Sequence, residues 1–171
     1  MLHLITGGSG SGKSEYAERQ VQEAGEGRRI YIATMIPYGE DGRQRVERHR
    51  RLRSEKNFET VECYTQLKRL SLPKDSIVLL ECMSNLVANE IFEREGAHEQ
   101  TVTAVMEGID RILGDVKALF VVTNEIFSDG ITYDEGTFRY MELLGEVNKA
   151  LAARADTVTE VVCGIPRRIK G

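Results

Sequence analysis

The chain has 171 residues, of which 41% are hydrophobic and 29% charged, a balance typical of one globular domain rather than of a disordered chain. It has no run of about 18 apolar residues and opens on a strand-like segment, so we expect neither a membrane span nor a signal peptide, and a cytoplasmic protein. A formal net charge of -4 argues against a general nucleic-acid binder.

Three cysteines, Cys63, Cys82 and Cys163, are odd in number and lack both CxxC spacing and metal-ligand spacing. A disulfide framework or a structural zinc site is therefore not expected. The sequence predicts three reduced, largely buried thiols.

Short apolar runs alternate with longer helical patterns, which predicts βα units joined into a mostly parallel α/β sheet with helices on both faces. In chain order, the pattern predicts strands over residues 2–6, 29–33, 58–62 (a weaker one), 76–81, 118–123 and 157–162. It predicts helices over residues 13–24, 84–95, 99–113 and 136–155. No Pro/Ser-rich linker divides the chain, and all three prolines (Pro37, Pro73 and Pro166) are assigned to connections, so we expect one domain over residues 1–171.

A phosphate-binding loop follows the first predicted strand and precedes the first predicted helix. It matches the pattern GxxxxGK[ST] with Gly7, Gly8, Ser9, Gly10, Ser11, Gly12, Lys13 and Ser14. Glycines let backbone N–H groups surround a phosphate, and the helix adds the positive end of its dipole. We expect Lys13 to reach the β- and γ-phosphates and Ser14 to bind magnesium, in a P-loop NTPase-like (RecA-like) fold.

Polar residues end several predicted strands, and ligands of open α/β sheets bind at the carboxyl ends of the strands. Glu81 follows an apolar strand directly, so it is a candidate magnesium ligand in the Walker B position. Thr34 ends the second strand, and residues 123–125 (Thr-Asn-Glu) end the fifth. Both could face a nucleotide or its acceptor.

Residues 42–53 contain six arginines and one histidine, within a polar segment (35–56) that we expect to be a mobile active-site element. A helix here would place Arg45, His49 and Arg53 on one face, where like charges repel unless a polyanion lies beside them. Neighbouring cations lower the pKa of a histidine, which would keep His49 neutral and nucleophilic near pH 7. A neutral imidazole can form a covalent phosphoramidate.

Each of these features also has a purely structural interpretation. The glycine-rich loop could be a turn that caps a helix, with Lys13 in solvent. Glu81 could be a strand-end carboxylate favoured by the next helix dipole. The arginine-rich segment could be a solvated helix face with Glu–Arg pairs.

The ordered motifs resemble the bifunctional adenosylcobinamide kinase/adenosylcobinamide-phosphate guanylyltransferase family of cobalamin biosynthesis. The resemblance covers nearly the whole chain. It is carried, from the N-terminus onward, by LITGGSGSGKS, YIAT, RVERHR, TVEC, LLECMSNLVANEIF, VVTNE and GEVNKALAARADTVTEVVCGIP.

This resemblance implies two reactions: phosphorylation of the aminopropanol hydroxyl of adenosylcobinamide, then transfer of GMP from GTP to that phosphate. It implies a corrinoid substrate, GTP and/or ATP with Mg²⁺, and a homotrimer. By the same resemblance, His49 is the residue that becomes guanylylated. The nucleotide-binding positions that it implies are the loop residues 7–14 together with Ala33, Thr34, Arg50, Glu62 and Glu81.

The chain also departs from the family pattern. After the histidine the family commonly shows an Arg-Pro pair and then a Trp, whereas this chain has Arg53-Ser54 and Phe58 and contains no Trp. Two other functions therefore stay open at this point. One is a P-loop kinase of another small alcohol with the arginine-rich segment as a lid, and the other is a nucleotide-controlled switch or assembly subunit.

Overall fold

A seven-stranded sheet forms the centre of the computed structural model, which describes residues 1–40, 42–44, 46, 47, 51, 56–128 and 130–171. The strands follow the order β3-β2-β4-β5-β1-β6-β7; β1 to β6 are parallel, and β7 is antiparallel to β6. Their bounds are β1 Leu2–Thr6, β2 Arg29–Ala33, β3 Glu59–Glu62, β4 Ile77–Glu81, β5 Ala118–Val122, β6 Thr157–Val162 and β7 Ile165–Lys170.

The described residues include the α-helices α1 Lys13–Glu23, α2 Met83–Phe92, α3 Thr101–Leu113 and α4 Glu135–Arg154. Short 3-10 helices lie at Leu67–Arg69 and His98–Gln100. Residues 39, 40, 42–44, 46, 47 and 51 are also helical. Within the part of the chain that the structure describes, none of the helices is long and apolar enough to cross a membrane.

The core consists of two apolar clusters, one on each side of the sheet. β4 and β5 are buried almost without interruption, because a parallel sheet covered on both faces needs apolar side chains in both directions. One cluster includes Ala17 and Val21 of α1. The other, larger one includes buried side chains of α2, α3 and α4. This arrangement confirms the predicted α/β class and brings the strand ends together at one edge.

The predicted strands and helices agree with the observed ones to within a few residues, but the sequence prediction missed β7. The assignment of Pro166 to a connection was wrong, because Pro166 lies in β7 opposite Val161. All six residues of β7 are exposed, so the strand has no buried, alternating face for a pattern to reveal. Proline lacks an N–H donor and is tolerated here because β7 is an edge strand.

Three free cysteines occupy three different environments. Cys63 is buried, Cys82 is half-buried and Cys163 is exposed in the turn between β6 and β7. Burial raises the pKa of the Cys63 thiol to about 11, which keeps it protonated at neutral pH. The expectation of largely buried thiols was therefore wrong for Cys163, which occupies a turn rather than the core.

Gly108 of α3 provides a test of this packing. A Cβ atom at Gly108 would lie 2.4 Å from Leu67 Cβ, so Gly108→Ala should lower the free energy of unfolding by about 1–3 kcal/mol through overpacking. At Gly145 of α4 a Cβ would make an ordinary contact, 3.7 Å from Phe127 Cε1. Gly145→Ala should therefore raise the free energy of unfolding by about 0.5–1 kcal/mol, the usual helix preference for alanine. Urea denaturation of the two variants measures both effects, and equal changes would contradict the packing.

Candidate active site

The carboxyl ends of four neighbouring strands meet in register at one edge of the sheet. Ala33 of β2 pairs with Glu81 of β4, Glu81 with Val122 of β5, and Val122 with Ile5 of β1. Parallel strands that end at the same level place their following loops side by side. The predicted strand-end residues therefore share one edge with the glycine-rich loop.

The glycine-rich loop spans residues 7–12 and joins β1 to α1, which confirms the predicted strand–loop–helix context. Gly12 has a φ of +88° at the N-cap of α1, where no side chain caps the helix. A Cβ atom at Gly7 would lie 2.5 Å from Val161 O. The loop thus needs glycine at both ends, and the first N–H groups of α1 receive no side-chain cap, as phosphate binding requires.

Two neighbouring segments hold this loop in place. Glu125 N donates to Gly7 O at 3.0 Å, and Gly164 N, in the turn between β6 and β7, donates to Ser11 O at 2.8 Å. Ser9, Gly10 and Gly12 nevertheless stay exposed. The loop is therefore fixed at its base and open to solvent at its rim.

Lys13 begins α1 and turns back across the loop. The side chain is buried, with 8% of the residue exposed, and Nζ donates to Gly8 O at 3.0 Å. A buried ammonium favours a site where it meets negative charge. Lys13 thus lies where the sequence pattern predicts it, inside the curve of the glycine-rich loop.

Ser14 and Glu81 connect α1 to the end of β4. Ser14 Oγ donates a hydrogen bond to Glu81 Oε1. The other carboxylate oxygen, Glu81 Oε2, is buried and has no hydrogen-bond partner among the described residues. A buried carboxylate oxygen without a partner is costly, and hydroxyl and carboxylate oxygens are the ligands that Mg²⁺ prefers. These two residues fit a magnesium ion.

A cavity of about 140 Å³ brings together four of the residues implied by the resemblance. It is lined by Tyr31, Ala33, Thr34, Met35, Val46, Glu62, Glu81, Cys82 and Asn85. Phe58, which is buried, packs edge-on against Tyr31 with ring centroids 5.9 Å apart. The phenylalanine that departs from the family pattern therefore supports one wall of this cavity.

Thr34 is fully buried, and its hydroxyl and carbonyl groups form hydrogen bonds with neighbouring residues. Its Oγ1 donates to Cys82 O at 2.9 Å and accepts from Cys82 N at 2.8 Å, while its carbonyl accepts from Asn89 Nδ2 at 2.8 Å. These bonds fix the peptide that follows Glu81. The observed contribution of Thr34 is to position the end of β4.

Residues 123–125 separate into a buried part and an accessible part. Thr123 is buried and donates to Asn148 Oδ1 at 2.7 Å, so it connects β5 to α4. Asn124 and Glu125 are half-buried at the sheet edge, and Asn124 Nδ2 donates to Ser84 Oγ at 2.6 Å. Only the last two residues of this trio can contribute side chains to a ligand site.

Sequence reasoning missed Ser84 and Tyr140, which lie beside Asn124. Tyr140 hydrogen-bonds to Ser84, and burial raises the pKa of Tyr140 to about 12. Tyr140 precedes Leu144 by four residues in α4, so the helical pattern counts it as a core position. The apolar periodicity of this helix face therefore gave no sign that the Tyr140 hydroxyl lies at the sheet edge.

His49 and Arg50 lie outside the described residues, as do Arg45 and Arg53. The described part of this segment is helical, which agrees with the helix considered for it. Val46 lines the cavity that contains Glu81. The arginine-rich segment therefore reaches the carboxyl edge of the sheet at least at Val46.

Sequence comparison matches the chain to a protein-family model. The model for "Cobinamide kinase / cobinamide phosphate guanyltransferase" matches residues 3–169. The Bifunctional adenosylcobalamin biosynthesis protein CobU of Escherichia coli (strain K12) is 32% identical over 99% of this chain and 100% of that protein. The protein of the same name from Salmonella typhimurium is 33% identical with the same coverage. The Bifunctional adenosylcobalamin biosynthesis protein CobP of Pseudomonas aeruginosa is 28% identical over 100% of this chain and 98% of that protein.

Solved structures with low sequence identity share the fold. The flagellar accessory protein FlaH from Methanocaldococcus jannaschii aligns with a TM-score of 0.50 and 14% identity, over 99% of this chain and 77% of that one. An ATPase from the type III secretion system of pathogenic bacteria gives a TM-score of 0.56 and 12% identity, over 93% of this chain and 50% of that one. These likenesses show the P-loop NTPase fold that the glycine-rich loop predicts.

Lys13 generates a direct prediction about nucleotide affinity. Lys13→Ala should weaken binding of MgGTP by about 10- to 100-fold, the effect of roughly 1.5–3 kcal/mol for one hydrogen bond to a charged group. The unfolding temperature should stay close to that of the wild type, because among the described residues the ammonium hydrogen-bonds only to Gly8 O. Titration with a fluorescent GTP analogue measures the affinity. Lys74→Ala, an exposed lysine in the turn before β4, is the matched control, and equal affinities in the two variants would refute the assignment.

Proposed function

The chain belongs to the cobinamide kinase / cobinamide phosphate guanyltransferase family, and from this premise we propose how its residues divide the two reactions. It is an enzyme of cobalamin biosynthesis, with kinase and guanylyltransferase activities and nucleotides as co-substrates. The match over residues 3–169 carries this conclusion, because it spans both the glycine-rich loop and the arginine-rich segment.

In the kinase reaction, the backbone of residues 7–12 and Lys13 bind the phosphates of a nucleoside triphosphate. The aminopropanol hydroxyl oxygen of adenosylcobinamide attacks the γ-phosphorus, and the bond from that phosphorus to the bridging oxygen breaks. The hydroxyl proton is released to solvent. The products are adenosylcobinamide phosphate and a nucleoside diphosphate. ATP and GTP are both candidates for the donor, because the loop contacts phosphate rather than base.

Ser14 and Glu81 are the residues that would hold Mg²⁺. The ion would supply positive charge to neutralise the phosphate oxygens when it is bound. Glu81 Oε2, buried and unpartnered among the described residues, supports this role. Ser14 keeps the carboxylate oriented through its hydrogen bond to Oε1.

In the guanylyltransferase reaction, a ring nitrogen of His49 attacks the α-phosphorus of GTP. The bond to the α–β bridging oxygen breaks and pyrophosphate leaves, which gives a guanylyl-histidine. A phosphate oxygen of adenosylcobinamide phosphate then attacks the same phosphorus, and the nitrogen–phosphorus bond breaks. Adenosyl-GDP-cobinamide is released, and the imidazole returns to its starting form.

The remaining nucleotide contacts are assigned to Ala33, Thr34, Arg50 and Glu62, together with Glu81. The shared cavity of Ala33, Thr34, Glu62 and Glu81 supports this grouping. Because the Thr34 hydroxyl is engaged by Cys82, we assign Thr34 a positioning role at this site. The enzyme acts in the cytoplasm as one domain, on a small-molecule corrinoid and without nucleic acid.

We also propose that the enzyme assembles as a homotrimer. The exposed edge strand β7 offers one surface for association, since Ile165 and Ile169 are 70% and 56% exposed. An edge strand with exposed apolar side chains is a template for pairing with another chain. Sedimentation velocity reports the mass, and a monomer at all concentrations would contradict the trimer.

Covalent labelling tests the guanylyl-transfer step. Incubation with GTP labelled at the α-phosphate should attach label to the protein, and the bond should be labile in acid and stable in base, as expected for a phosphoramidate. His49→Ala should abolish the label, because the attacking nitrogen is gone. Denaturing electrophoresis followed by autoradiography measures the incorporation.

His98→Ala is the control for this experiment. His98 is exposed and its Nδ1 contacts Ile91 O at 3.0 Å, so its loss should leave labelling unchanged. Wild-type enzyme that consumes GTP and cobinamide phosphate without becoming labelled would refute the covalent intermediate. Phosphorylation of cobinamide with no transfer of GMP would instead indicate a monofunctional kinase.

A further inference from the structure

A second cavity opens beside the glycine-rich loop. Its volume is about 600 Å³, and its lining connects the loop to the end of β5 and the first turns of α4. The lining includes Ser9, Asn124, Glu125, Ser128, Tyr133 and Tyr140. Of these six residues, only Ser9, through its backbone, takes part in the phosphate and magnesium assignments above.

Apart from the backbone of Ser9, which belongs to the glycine-rich loop, the chemistry of the lining does not suit a polyphosphate. All but two of its described residues carry a hydroxyl, an amide or a carboxylate, and none of them is a lysine, arginine or histidine. Sites for polyphosphates rely on cationic side chains or backbone N–H groups. This cavity instead fits a ligand that bears many hydrogen-bonding groups and no negative charge of its own.

Exposed apolar side chains lie close in sequence to this polar lining. Phe127, Ile131 and Phe138, each close in sequence to a lining residue, are 42%, 62% and 57% exposed. A group of large apolar side chains exposed together is typical of a binding surface. The ligand is therefore expected to present an extended apolar face as well as its polar groups.

Hydrogen bonds hold the cavity wall in one conformation. Glu125 Oε1 accepts from Phe127 N and from Ser128 Oγ, both at 2.9 Å. Asp134 caps α4 by accepting from Thr137 N at 3.0 Å. A wall that is ordered before binding lowers the entropic cost of binding a large ligand.

We propose that this cavity binds the corrinoid acceptor and directs its hydroxyl toward the P-loop. A corrin macrocycle with amide side chains combines an apolar face with neutral hydrogen-bonding groups, as the lining requires. Ser9 belongs to both the cavity and the loop, so a ligand seated here has its reactive end beside the bound triphosphate. This assignment rests on the proposed function.

Ser128→Arg tests the assignment by placing a long cation in the cavity mouth. The KM for cobinamide in the kinase reaction should rise by roughly tenfold or more, while the Kd for MgGTP stays at the wild-type value, because only acceptor binding is blocked. Tyr133→Ala, which removes a lining side chain without adding bulk, should raise the same KM. Ser71→Arg makes the identical change in another exposed loop and should leave both constants unchanged.

The outcomes separate this inference from the proposed function. Wild-type enzyme that phosphorylates cobinamide, together with unchanged KM values in Ser128→Arg and Tyr133→Ala, would overturn the cavity assignment alone. Wild-type enzyme that binds MgGTP but does not phosphorylate cobinamide would overturn both. A rise in KM confined to the two cavity variants, at constant nucleotide affinity, would support the assignment.

Discussion

The contact between Ser14 and Glu81 is the interaction on which the site depends. Ser14 belongs to the helix that follows the glycine-rich loop, and Glu81 ends a strand two positions away from β1 in the sheet. Their hydrogen bond fixes the loop helix against the strand edge and leaves Glu81 Oε2 buried without a partner among the described residues. The residues proposed to bind phosphate and magnesium thereby meet at one point.

The register of the parallel strands explains why the other candidates gather around this contact. Ala33, Glu81 and Val122 lie at the same level, so the segments that follow them form adjoining walls. The cavity of Glu62 and Glu81 lies at this edge, and Ser9 of the glycine-rich loop lines the cavity of Asn124 and Tyr140.

Sequence patterns predicted most of the sheet and the glycine-rich loop, because buried parallel strands and GxxxxGK[ST] both carry strong local signals. They failed at β7, whose residues are all exposed, and at Tyr140, whose spacing matches the core face of α4. Sequence patterns also could not show that the Thr34 hydroxyl hydrogen-bonds to Cys82, because the two residues are 48 positions apart in the chain. The arginine-rich pattern made His49 a candidate nucleophile, the family resemblance implied that it becomes guanylylated, and this role remains a prediction.

The magnesium dependence of nucleotide affinity tests the central contact most directly. Titration of GTP with and without Mg²⁺ should show that the ion tightens binding to the wild type, and that Glu81→Gln loses most of this gain, about tenfold or more, as expected for a lost metal ligand. Glu59→Gln, an exposed carboxylate at the start of β3, should behave as the wild type does. An equal effect of Mg²⁺ on the affinity of all three proteins would contradict the account.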